Sequence, residues 1–267
     1  MPLSPHEVER HVQQCLDTFY ARRIGKLSTL KLRDALKRKN PYLFRAIGTE
    51  SAAELITQIL SAYMSSSDEG IFGDAFFEPL ARIVSGAASA GGEGADIVIE
   101  DATTYTAIAV KSGTSVFNAQ SRRRQNQEFM GLRSRMQKLQ KHFDAIVGYC
   151  YGKKQTAARA NDSIFRELAG QAFWEKLTGD PDFYLKIIAA MKSKPAEHKL
   201  LFRTEWDKAV NRFVREFTVT YCTEEGAIDW DRLLAFNSGK GPLDAMSPQV
   251  KHCIHRGKAR RSTRHAP

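Results

Sequence analysis

No apolar run in the chain approaches the roughly 18 residues that a membrane span needs. The opening PLSPHEVERH is polar, unlike the apolar heart of a secretory signal. Cysteine is sparse. Cys15, Cys150, Cys222 and Cys253 are widely scattered, with no CxxC pair and no histidine at zinc spacing. These absences argue against a disulfide scaffold, a zinc ribbon and a membrane partner, and for a cytoplasmic protein with reduced thiols. Internal repeats are also lacking. Acids are missing in a patterned way: residues 22–45 hold nine Lys/Arg against Asp34 alone, residues 117–142 hold seven against Glu128 alone, and residues 251–267 hold six and no acid.

What is present is a 267-residue chain, 42% hydrophobic, with enough apolar material for a sizeable core in one or two domains. Its formal charge is +10, with a pI near 9.5, and three separate basic blocks favour a polyanionic partner such as nucleic acid.

Periodicity predicts a helix after Ser4-Pro5, with Val8, Val12, Cys15, Leu16 and Phe19 on its buried stripe. A second helix is expected from Ser28, as N-cap, to Asn40-Pro41, where proline stops it. ESAAELITQILSAYM reads as a third helix, and DEGIFGDAFFEPLARIVSG as a fourth that Pro79 interrupts. The pattern then changes to two strands, 96–100 and 105–111, joined by a short turn as in a hairpin. A basic helix over 120–143 should bury Phe129, Leu132, Met136, Leu139 and Phe143. AIVGYCY is apolar enough for a central strand. Helices resume in FRELAGQAFWEKL, DFYLKIIAAMKS and EWDKAVNRFVREFTVTY, with Phe173 and Trp174 expected in the core. On composition the chain divides into a basic helical segment (1–45), an α/β core with a C-terminal helical region (46–239) and a basic, flexible tail (240–267).

The hairpin carries the chemistry. Alternation places Tyr105, Ala107, Ala109 and Lys111 on one face and Thr106, Ile108 and Val110 on the other. A tight turn brings Asp96 and Lys111 to the same end. A carboxylate holds magnesium through oxygen. An ammonium beside it can orient water and offset charge on a pentacovalent phosphate. Magnesium usually needs more than one acidic oxygen, and Ala109 offers none, although the Val110 carbonyl can contribute. Glu78, Glu100 and Asp101 are the nearest candidates for a second acid. Pro79 is expected to disturb helical geometry at Glu78.

Taken in order, LKLRDALKRKNPYLFRA, SSSDEGIFGDAFFEPLA, GADIVIE…YTAIAVKSG, GQAFWEKLTGDPDFY and GAIDWDRLLAFNSG resemble a family of type II restriction endonucleases of the PD-(D/E)XK superfamily, over about 30–239. The resemblance implies a restriction-endonuclease-like α/β core: a central mixed sheet bearing a β-hairpin active site, flanked by helices, with extra helices at both ends. It also implies a magnesium-dependent enzyme that cuts both strands of duplex DNA at a short sequence and leaves 5′-phosphates. Asp96 matches the metal-binding aspartate and Lys111 the catalytic lysine. Ala109 departs from the usual second acid. Related enzymes with a small residue there take the acid from the preceding helix, which points to Glu78. A homodimer is expected on a palindromic target, along with a cognate methyltransferase that forms no stable complex.

For DNA contact, Asn118 and Gln120 offer amides, and Arg122, Arg123 and Arg124 stand near a helix start. The loop with Lys153, Lys154, Arg159 and Asn161 offers base-edge donors, with Lys39 and Arg45 as a second region. Two other readings remain open at this point. One is a DNA-binding protein with a decayed nuclease site; the other is a structure-selective repair nuclease.

Overall fold

A computed structural model describes residues 3–87, 94–115, 118–156 and 163–240. Contacts divide the chain into two compact units, one of Met1–Lys26 with Ser65–Thr204 and the other of Leu27–Met64 with Glu205–Pro267. These boundaries differ from those drawn on composition, because each unit is assembled from two separate stretches of chain. Most of the expected tail, 241–267, lies outside the described residues.

Helix α1 (Pro5–Thr29) begins with a reciprocal cap: Ser4 Oγ accepts from the Glu7 N–H (3.3 Å), and Glu7 accepts from the Ser4 N–H (2.8 Å). Its expected stripe of Val8, Val12, Cys15, Leu16 and Phe19 is buried. The helix runs through Ser28, which therefore lies in its last turn rather than at the start of the next helix. The next helix, α2 (Leu32–Leu36), is short and has Lys31 at its N-cap. Asn40-Pro41 starts a helix rather than merely ending one. Asn40 accepts from the Leu43 N–H, and Pro41 fills the first position of α3 (Pro41–Ala46), where a missing N–H costs nothing.

Helix α4 (Ala52–Phe72) leads into a π-helical turn (Gly73–Phe77), and α5 (Glu78–Val84) follows. The sheet comes next: β1 (Ile97–Glu100), β2 (Thr104–Gly113), α6 (Ala119–Lys138), β3 (His142–Tyr151), β4 (Gln155–Thr156) and β5 (Arg166–Ala169). Then come α7 (Gln171–Thr178), α8 (Phe183–Met191), α9 (Lys194–Tyr221) and α10 (Trp230–Ser238).

The five strands lie in the order β1-β2-β3-β5-β4. The pairs β1/β2 and β4/β5 are antiparallel, while β2/β3 and β3/β5 are parallel, so the sheet is mixed and β3 is central. This is the expected restriction-endonuclease-like α/β core. Each face of the sheet has its own apolar layer. Ala107, Ala109, Ala145, Val147 and Tyr149 pack with Phe129, Leu132 and Met136 of α6. Ile108, Val110, Ile146 and Cys150 pack with Phe76, Leu80, Phe173 and Trp174, as well as with α1. Close approach explains the glycine in β3: a Cβ on Gly148 would sit 2.1 Å from the Phe173 ring.

Two expected elements change type or length. Helix α6 stops at Lys138, because Gln140 adopts φ 57° and turns the chain into β3; Leu139 is exposed, and Phe143 reaches the same core from the strand. FRELA is not helical. Residues 166–169 form β5, drawn into the sheet by pairing with β3 at Ile146 to Tyr149.

In the second unit, Leu32 and Leu36 are buried, as are Leu55, Ile56, Ile59 and Leu60 of α4. Phe213 and Phe217 of α9 and Leu233 and Phe236 of α10 are buried too. The Asn237 side chain donates to the Leu36 and Lys39 carbonyls at 3.1 and 3.2 Å, satisfying acceptors at the end of α2.

Candidate active site

Asp96 stands immediately before β1 and is fixed at both backbone and side chain. Its N–H donates to the Ile108 carbonyl (2.9 Å), and its Oδ2 accepts from the Val110 N–H (2.7 Å). The carboxylate is thus tied to the strand that carries Lys111. Ala109 faces the α6 layer and is 1% exposed, so the position where a second acid might have stood is filled by packing.

The π-helical turn brings Glu78 to the same place. Proline at 79 has no N–H for the Ala75 carbonyl, and its ring would crowd that carbonyl in an α-helix. The chain widens instead, and the Glu78 N–H donates to the Gly73 carbonyl, five residues back. Glu78 itself keeps helical angles (φ −64°, ψ −48°), so the expected disturbance by Pro79 is displaced into the preceding turn. Gly73 lets that turn lie against β2: a Cβ there would be 2.3 Å from Ser112 Oγ, one residue beyond Lys111.

Asp96, Lys111, Glu78 and Val110 line one cleft of about 850 Å³. Glu69, Asp74 and Glu128 also line it, as do Arg124, Gln125 and Ser121. Five carboxylates therefore face two cations. The strain shows at Glu78, whose pKa is raised, first by burial and then by the negative charges of Asp96 and Asp74, while Arg82 and Lys111 oppose the rise. Arg82 donates to Glu78 at 2.6 Å. Since the neutral form is favoured in the folded state, Glu78 destabilises the fold as pH rises from its unfolded pKa through its raised folded one. Glu78→Gln is accordingly expected to raise the melting temperature of the metal-free protein at pH 7, by a gain that shrinks towards pH 4. Thermal melts at the two pH values check this, and a lower melting temperature at pH 7 would refute it.

The other two acids are engaged elsewhere. Glu100 pairs with Lys141 at the far end of β1, and Asp101 accepts from the N–H groups of Thr103 and Thr104 (2.8 and 2.7 Å), building the hairpin turn. Among the described residues, no group of three or more His, Cys, Asp or Glu side chains is gathered to hold a metal ion. An ion here would rest on two carboxylates completed by backbone and solvent oxygen, a donor set that suits a hard divalent cation.

The expected DNA contacts are placed unevenly. Asn118 caps α6, accepting from the Ser121 N–H at 2.8 Å, and Gln120 and Arg123 are exposed on its first turns. Arg124 pairs with Glu128 at 2.8 Å on the cleft wall. Arg122 and Lys154 both reach Glu167, at 2.7 and 3.0 Å. Lys153 is exposed, while Arg159 and Asn161 lie outside the described residues. In the second unit, Arg45 is exposed, with its guanidinium 5.6 Å from the Trp230 ring, and Lys39 is half-buried.

Three further residues, two in the cleft and one outside its lining, escape sequence reading. Asp74 lies in the π turn and lines the cleft from there. Gln125 is buried in α6 and donates to the Gly94 carbonyl (2.6 Å), holding the segment before Asp96; a polar residue on an otherwise apolar stripe was its only signal. Glu167 sits in a strand whose residues read as helix formers.

Among the described residues, no helix is long and apolar enough to cross a membrane. The family model described as type II restriction endonuclease EcoO109I matches residues 6–199. No curated protein matches the chain significantly.

Proposed function

Because the chain belongs to the type II restriction endonuclease EcoO109I family, we propose that it hydrolyses both strands of duplex DNA at a short specific sequence, with magnesium, leaving 5′-phosphates. The observation that carries this reading is the cleft itself. Five carboxylates against two cations would repel a phosphodiester, and that repulsion is removed when a divalent cation lies between acid and phosphate. Bound magnesium would supply Lewis acidity to a phosphate oxygen, and Asp96, Glu78 and the Val110 carbonyl are the groups to hold it. Lys111, at the rim of the hairpin, orients the attacking water and offsets charge developing on phosphorus. Arg123, Arg124 and Lys153 are suited to phosphates, with Gln120 as an amide donor beside them, and Arg45 and Lys39 offer a second basic region. Arg159 and Asn161 remain candidates for reading base edges.

A palindromic target would ask for a homodimer, each copy cutting one strand. Within a restriction–modification system, a methyltransferase would protect the host's own sites, and both would work in the cytoplasm. The test is incubation of plasmid DNA with and without magnesium, followed by sequencing of the ends. Discrete fragments with a common end sequence are expected. A gel shift without cutting would favour a binder with a decayed site, and ends without a shared sequence would favour a structure-selective nuclease.

A further inference from the structure

Two of the cations the sequence offers to DNA are held by one buried carboxylate. Glu167, on β5, is 5% exposed. Its Oε1 accepts from Arg122 (2.7 Å), Lys154 (3.0 Å) and the Tyr149 hydroxyl (2.6 Å). Lys154 also lies 5.6 Å from the Tyr149 ring, and Arg122 5.6 Å from the Phe165 ring. Tyr149 is fully buried and pairs across the parallel ladder with Lys111. One carboxylate therefore ties together the first turn of α6, the end of β3 and the segment leaving it, beside the strand that presents Lys111.

We propose that Glu167 is a positioning residue of the DNA-cutting site, holding Arg122 and Lys154 off the phosphates so that DNA is gripped by their neighbours; this rests on the endonuclease reading above. The reason is electrostatic. Moving both cations onto DNA would leave a buried carboxylate with the Tyr149 hydroxyl and no positive charge beside it, which is far more costly than breaking an exposed pair such as Arg124–Glu128. The cluster also keeps one positive charge in excess, so its field still favours a polyanion without touching it. Lys153, the exposed neighbour of Lys154, is left to make the contact.

The salt dependence of binding to a nonspecific duplex, measured without divalent metal, tests this. Taking one cation away from the phosphates flattens the slope of log K against log salt by about 0.9. Lys153→Ala is expected to flatten it by about that amount and Lys154→Met to leave it unchanged. Glu167→Gln should free both cations, steepening the slope by up to about 1.8 and tightening nonspecific binding. A purely structural role would lower the melting temperature but leave the slope where it was. A Lys154→Met slope flattened by about 0.9 would overturn the proposal, as would an unmoved slope in a folded Glu167→Gln. If Glu167→Gln shows no cooperative melt, the Lys153 and Lys154 comparison decides alone. Failure of the parent protein to bind DNA at all would remove the endonuclease reading instead.

Discussion

Replacing Lys111 with alanine is expected to lower plasmid cleavage by about two to four orders of magnitude, the range seen when a positioned proton-transfer or charge-stabilising group is removed. Asp96→Asn is expected to do at least as much. The amide oxygen of asparagine can still accept from the Val110 N–H, so the hairpin end stays assembled while the charge that grips a cation is gone. Because both variants leave the two apolar layers of the sheet untouched, binding to a nonspecific duplex without metal should persist. Single-turnover cleavage and gel-shift assays on the same preparations separate the two effects. Full-rate cutting by either variant would sink the proposed active site.

The largest effect on stability is expected at Trp174. Its ring is 1% exposed, with centroids 5.3 Å from Phe173, 5.7 Å from Phe183 and 6.4 Å from Phe77, and its Nε1–H donates to the Cys150 carbonyl at 2.8 Å. Trp174→Ala removes a large buried aromatic and leaves a cavity, at a cost of about 3–5 kcal/mol. Urea titration should show a much lower midpoint, with Trp174→Phe falling between. A loss below about 1 kcal/mol would mean that α7 is not an integral part of the core. Because Phe77 precedes Glu78 directly, Trp174→Ala is also expected to reduce cleavage, through the cleft wall rather than through any contact with DNA.

Much of this architecture was legible in the sequence, for identifiable reasons. The α1 stripe and the alternation of β2 are local periodicities that tertiary structure left in place, and Phe173 and Trp174 are as buried as their size suggests. The failures are equally specific. FRELA contains good helix formers, and only the ladder with β3 makes a strand of it, a non-local effect that no window of sequence contains. Ser28 has the chemistry of an N-cap, but α1 simply continues past it. In the cleft, Asp96, Lys111 and Glu78 could be picked out from residue type and order. Asp74 and Gln125 in the same cleft, and Glu167 outside its lining, could not, because their places depend on a widened turn, a distant carbonyl and a strand whose residues favour helix.

That widened turn has a consequence for how the acid wall of the cleft came to be built. Each residue of an α-helix advances the side-chain direction by about 100°, and a π turn accommodates one residue beyond the regular count. The direction of the carboxylate at 78 is therefore set by a main-chain length, the stretch between Gly73 and Phe77, as much as by the identity of the residue itself. In this chain the strand position at 109 goes to packing against α6, while an extra step of backbone on another element sets where an acid meets the cleft.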